Sequence, residues 1–209
     1  MQALNLNQFA QEVHQNAVDH GWWDGDRSRA SVRALMHCEI SEAVEAARNN
    51  EPLHWHLCPF TSSSCERQTV HDPLSAARCD TCGPEMRKPE GVAVELIDFC
   101  IRAMDYLAHD EWLFQPSHDT PDKLIRFSLE DYQDDDCEDV TVLSAADLAD
   151  QLHVLVSLDR IIRDKMDIVD AIGITFAWVQ ARGLDPVELM LEKHAYNKTR
   201  PYKHGGKVF

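Results

Sequence analysis

Two segments constrain the fold most. Residues 29–49 and 90–109 each combine a helical apolar stripe with a pair of acids three residues apart. In the first, Val32, Met36, Ile40, Val44 and Ala47 recur at helical spacing. Ser28 precedes them as an N-cap, and Asn49-Asn50 and Pro52 end the run. In the second, Ala93, Leu96, Ile97, Cys100, Met104, Leu107 and Ala108 form the stripe. The acids are Glu39 and Glu42 on one helix, Glu95 and Asp98 on the other. An i, i+3 pair shares one helical face and repels itself. Because both pairs adjoin the apolar stripes, packing the helices together brings four carboxylates to one seam, where they need a compensating cation. Oxygen-only ligands of high negative charge suit Mg²⁺ or Mn²⁺. Neither pair contains the Glu-x-x-His partner of a di-iron bundle. The competing reading is four solvated surface acids.

The rest of the chain is also helical in pattern. Residues 4–20 carry Leu4 or Leu6, Phe9, Val13 and Ala17 at helical spacing and stop at Gly21. Residues 144–164 begin at Ser144 as N-cap and align Leu148, Leu152, Leu155, Val156 and Ile162. A helix over 166–182 ends at Gly183, and Asp185 caps a last one, with Pro186 at its first position, through about Tyr196. No alternating strand pattern and no internal repeat is found. The expectation is an all-α helical bundle, one domain over 1–209, with two irregular insertions at 53–89 and 110–143.

Charge separates these parts. Lys and Arg number 20 against 36 Asp and Glu, a formal net charge of −16. Residues 110–150 hold 13 of the acids and two bases, and seven of the ten residues 130–139 are acidic. Such a chain is not expected to bind nucleic acid stably, since phosphate neutralisation needs a basic surface. The last 17 residues reverse the sign, with Lys193, Lys198, Arg200, Lys203 and Lys207 and no acid. A basic tail on an acidic protein suits a bound anion. No apolar run reaches the length of a membrane span, and the first residues lack the charged start and apolar core of a signal peptide. The expected location is cytoplasmic, without membrane contact.

Four of seven cysteines, Cys58, Cys65, Cys79 and Cys82, cluster in the first insertion. Four thiolates satisfy tetrahedral Zn²⁺, and Cys79-Asp-Thr-Cys82-Gly83 resembles a zinc-knuckle turn. A segment this poor in aliphatic residues needs a staple, so structural Zn²⁺ is the expectation. Free or redox-active thiols and disulfides are the alternatives, and His54, His56 and His71 are substitute ligands. Cys38 and Cys100 are expected in the core, and Cys137 has no evident partner.

Three stretches, ALMHCEISEAVEAARNNEP, KPEGVAVELIDFCIRAMDYL and EKHAYNKTRPYKHGGK, closely resemble the MazG-like nucleotide pyrophosphohydrolases of the all-α NTP pyrophosphatase superfamily. The resemblance implies hydrolysis of a nucleoside triphosphate to a monophosphate and pyrophosphate. It puts Glu39, Glu42, Glu95 and Asp98 at the catalytic Mg²⁺-ligand positions, one of them also orienting or deprotonating the attacking water. It implies a homodimer or higher homo-oligomer, with helices from a neighbour completing the site. The 53 positions between Glu42 and Glu95 exceed the family's usual link, as does the material at 110–165.

A triphosphate also needs cations from the protein. Lys193, Asn197 and Arg200 fall on one face if the last helix extends that far, and Tyr202, Lys203, His204 and Lys207 follow around Gly205-Gly206. These are the expected substrate-binding residues, against a disordered basic tail. Trp22 stacks on the nucleobase or, with Trp23, anchors core or interface. His37 sits behind the carboxylates or packs in the core, and Asp105 is an outer metal contact or a surface acid. Other readings are a protein-interaction module built on the zinc insertion, and a hydrolase of another nucleotide phosphoanhydride.

Overall fold

The computed structural model describes residues 4–25, 27–57, 69–70, 88–111, 142–157 and 164–206. The helices are α1 (Leu6–Asp19), α2 (Arg29–Arg48), α3 (Val92–His109), α4 (Ala145–Ser157), α5 (Asp164–Ala181), α6 (Pro186–Lys198) and the single turn α7 (Lys203–Gly206). The described residues are mostly helical, as the periodicity predicts. None of these helices is long and apolar enough to cross a membrane.

The caps lie where the sequence puts them. Ser28 Oγ accepts from Ser31 N, Ser144 Oγ from Asp147 N, and Asp185 Oδ1 from Val187 N at 2.9 Å. Each satisfies a first-turn N–H that has no helical partner. Asn5 does the same for α1.

Helix α3 is the axis of the bundle. Every residue of its predicted stripe is buried, and Val92, Val94, Phe99, Ile101, Ala103 and Tyr106 are buried as well. A helix apolar on nearly all sides must be surrounded, and α1, α2, α5 and α6 all pack on α3. Helix α4 closes the far side against α2 and α5. On α2 the buried face runs Val32, Met36, Glu39, Ile40, Ala43 and Ala46, while Val44 and Ala47 sit at its edge. Trp178 of α5 is 1% exposed, donates Nε1–H to Leu143 O at 3.0 Å, and stacks under the Arg182 guanidinium at 3.5 Å.

The absence of strands is corrected. A three-stranded antiparallel sheet joins β1 (Trp55–Leu57) to β2 (Thr69–Val70) on one side and β3 (Lys88–Glu90) on the other. Strands of two or three residues are too short for alternation to register. The pairing of β1 with β3 brings together the two ends of the segment read as the first insertion. Gly91, at φ +114°, then turns the chain into α3. A Cβ there would lie 2.5 Å from Pro52 O. The close approach lets the carbonyls of Pro52 and Leu53 accept from Val92 N and Ala93 N at 3.3 and 2.9 Å. Backbone carbonyls therefore cap α3, with no side-chain cap.

Two further expectations change. Cys100 is buried, but Cys38 is exposed, because it lies on the flank of α2 opposite Met36 and Ile40. Helix α4 is described only to Ser157, so Ile162 lies outside the described residues. So do Cys58, Cys65, Cys79, Cys82, Cys137, Lys207 and residues 112–141 of the acidic segment.

Candidate active site

The α2–α3 pairing brings carboxylates from the two helices together. Glu39, Glu42 and Glu95 each place an oxygen within 4.8 Å of the other two. Glu39 and Glu95 are buried, at 4% and 7% exposure, and Glu42 is exposed. The set is thus two buried acids with one open to solvent.

Asp98 stands one turn along α3 and has a different environment. Lys193 Nζ lies 3.0 Å from its Oδ2, and Asn197 Nδ2 donates to its Oδ1 at 3.3 Å. Lys193 also donates to Pro89 O at 3.1 Å and is 1% exposed. Two residues expected on phosphate are therefore turned onto a carboxylate. The reason lies in α6, which packs on α3 and carries Lys193 and His194 inward beside Leu189 and Met190.

Glu39 has its own counter-ion, the Arg102 guanidinium, whose Nε donates to Glu39 Oε1. Arg102 was not singled out from the sequence. A signal existed: Glu95, Asp98, Arg102 and Asp105 are spaced three, four and three apart, one continuous face of α3.

These environments separate the acids electrostatically. Burial pushes the Glu95 carboxyl up to about 8, with the Lys193 charge opposing and the Asp98 charge adding. Burial also raises Glu39, against the pull of Arg102. For Asp98 burial acts upward too, but the charges of Lys193 and Arg102 and the hydrogen bonds from Lys193 and Asn197 outweigh it, leaving it below the usual range. The cluster thus holds one acid, Asp98, stabilised in its ionised form by a buried lysine, and two, Glu39 and Glu95, whose ionisation burial opposes.

Beside this group lies a cleft of about 60 Å³, lined among others by Trp22, Arg27, Asp98, Arg102, Asn197 and Arg200. Arg27 lies 5.6 Å from the Trp22 ring centroid and 5.5 Å from that of Trp23. Burial lowers its pKa, with Asp105 opposing. Three guanidiniums thus edge a cleft whose floor includes Asp98. His194 lines it as well, 3% exposed, with neither ring nitrogen hydrogen-bonded.

The remaining expected residues are placed as follows. Trp22 is half-buried on the cleft wall, whereas Trp23 stacks on His109 at 3.7 Å and donates to Asp105 at 2.9 Å. Asp105 also lies 2.7 Å from His14 Nδ1, so it joins α1, α3 and the Trp23 turn. His37 Nδ1 lies 2.8 Å from His153 Nδ1 and faces α4. Burial lowers the pKa of both rings, so one proton between them suffices. Tyr202 is 58% exposed, lies against Gly21, and its hydroxyl donates to Asp24. Lys203 N donates to His20 O at 3.0 Å, and His20 Nε2 lies 2.8 Å from Arg200 O. The tail to Gly206 is docked on the turn after α1, which puts Arg200 on the cleft. Tyr202 and Lys203 stand outside its lining.

Compared with protein-family models, with curated proteins and with solved structures, the chain matches none.

Proposed function

We propose that the chain is a Mg²⁺-dependent nucleoside triphosphate pyrophosphohydrolase of the MazG-like kind, releasing a (d)NMP and pyrophosphate. The observation that carries the reading is the convergence of Glu39, Glu42 and Glu95 from two helices beside a cleft edged by Arg27, Arg102 and Arg200. The donor set fits the ion: all oxygen, highly anionic, partly buried and open at Glu42. When bound, Mg²⁺ would offset phosphate charge and make a coordinated water more acidic.

The chain's own residues divide the remaining work. Glu39, Glu42 and Glu95 hold the cation, and Asp98 completes the set when Lys193 and Asn197 hold it in place. Arg200 and Arg27 face phosphate charge from the cleft. Trp22 offers a flat ring to a base on the same wall. Arg102, now on Glu39, is the third cation available to an anion entering the cleft.

The proposal includes an assembly of identical copies, a cytoplasmic setting, and structural Zn²⁺ on Cys58, Cys65, Cys79 and Cys82. The test is pyrophosphate release from a panel of canonical and modified dNTPs and NTPs with Mg²⁺. Release that disappears in a folded Glu39→Gln protein supports the reading. No release from any triphosphate rejects it and favours an interaction module or another phosphoanhydride.

A further inference from the structure

A second group of metal-ligand side chains lies outside this site. His54 precedes β1, His56 is its central residue, and Glu192 is on α6. His56 Nε2 lies 2.6 Å from Glu192 Oε1, and His54 Nε2 lies 2.9 Å from Oε2. The three ligand atoms fall within 4.8 Å of one another. The histidine side chains are 10% and 14% exposed, and Glu192 is 38% exposed. The two rings meet edge to face with centroids 4.8 Å apart.

Two features distinguish this group from a carboxylate clamped by two imidazoles. His54 Nε2 is buried and faces the Glu192 carboxylate at 2.9 Å without a well-aligned N–H···O bond. An imidazole nitrogen in this position, with the proton on its other nitrogen, has a lone pair to give a cation shared with the carboxylate. Both histidines also present the same nitrogen, Nε2, to one point, and the third donor is an anionic oxygen open to solvent. Two imidazoles and one carboxylate with a free position form a ligand set that Zn²⁺ accepts, water taking the fourth place.

We propose that His54, His56 and Glu192 form a Zn²⁺ site that ties β1 to α6. Its two nitrogens and one oxygen differ from a four-thiolate set and from the Glu39–Glu42–Glu95 group, whose all-oxygen set suits a harder ion. Its place in the fold gives it a role. Glu192 precedes Lys193, and β1 pairs with β3, whose Pro89 carbonyl receives the Lys193 ammonium. An ion there fixes α6 to β1 and, through the sheet, to β3, and so holds Lys193 on Asp98. The inference does not depend on the proposed activity.

The full-length protein is stripped with chelator and reloaded with Zn²⁺ near neutral pH, and bound metal is counted. His54→Gln, His56→Gln and Glu192→Gln are each expected to hold one equivalent less than the native chain, with affinity for that equivalent reduced by more than about 100-fold. With Co²⁺, the difference spectrum between native and His56→Gln should show ligand-field bands without thiolate charge transfer, which excludes the cysteines as its source. If a variant fails to fold, the native protein still decides: ring-nitrogen NMR signals of His54 and His56 should move on adding Zn²⁺. Equal zinc content in all folded variants, or ring signals unmoved by the metal, overturns the site and leaves a metal-free histidine–carboxylate clamp.

Discussion

Lys193 and Asp98 neutralise each other inside the bundle, with Nζ 3.0 Å from Oδ2 and the lysine side chain almost fully enclosed. The most basic stretch of the chain thus contributes its first cation to the protein's own carboxylates. Removing one member of such a pair leaves the other buried and uncompensated. Lys193→Met is expected to destabilise the protein by about 3–5 kcal/mol, measured by urea unfolding. Adding Asp98→Asn should recover part of the loss. A change below about 1 kcal/mol in the single variant would mean that Lys193 acts as an exposed cation.

The crowding of Glu95 sets a pH dependence. Its carboxyl is raised to about 8 in the fold by burial, above its ordinary value of 4.5. The folded protein therefore binds more protons than the unfolded chain between these values. The contribution is fully present below pH 4.5 and is lost as pH rises through about 8. With chelator present, stability should fall across that window, and Glu95→Gln should flatten the fall. An unchanged profile in Glu95→Gln refutes the assignment.

His194 acts in the opposite sense. Burial, with the Lys198 charge adding to it, holds the ring down to about 4 from its ordinary 6.5. Its neutral form contributes stability above pH 6.5 that is lost as pH falls toward 4. The ring packs edge-on against Phe9 at 5.2 Å. His194→Phe keeps that aromatic contact and cannot take a proton, so its acid-unfolding midpoint should move to lower pH. A midpoint that stays put would place the acid sensitivity elsewhere.

Gly91 is fixed by geometry. At φ +114°, with Pro52 O 2.5 Å from any added Cβ, an alanine must move backbone. Backbone strain of this kind costs about 1–3 kcal/mol, and the two carbonyl caps on α3 weaken with it. Gly91→Ala should lower the melting temperature. Gly183→Ala is a useful control: its φ is +80°, but nothing lies within 4 Å of an added Cβ. If both variants melt alike, conformation alone accounts for the Gly91 effect, and the close approach to Pro52 does not matter.

Much of the fold was legible because local chemistry specified it. Ser28, Ser144 and Asp185 stand at helix starts that their side chains cap. The seam bearing Glu39 and Glu95 followed from acids adjoining apolar stripes. What escaped was set by partners distant in sequence. Composition counts Lys193 as a cation but does not say which anion takes it, and α6 buries it 95 residues after Asp98. Cys38 looked like core because helix periodicity is loose on the flank of a stripe. Arg102 was missed because a basic residue among apolar ones reads as a surface charge until an acid from α2 meets it. The β1–β3 pairing depends on contacts between residues more than thirty positions apart, which no local pattern records.

The neck formed by Pro52, Leu53 and Gly91 has a bearing on how such a chain tolerates change. The backbone leaves α2 and re-enters α3 at nearly one point, where Pro52 and Leu53 meet Val92 and Ala93, so contour length can be added or removed between β1 and β3 with the ends of the helices still joined there. Closing a loop costs only about 0.6 kcal/mol for each doubling of its length. The neck therefore fixes where α2 ends and α3 begins through its own backbone hydrogen bonds. A short turn joining Leu57 to Lys88 should leave Glu39 and Glu95 in register, so the segment between them is a position where new recognition elements can be grafted, exchanged or lost while the helical scaffold stays as it is.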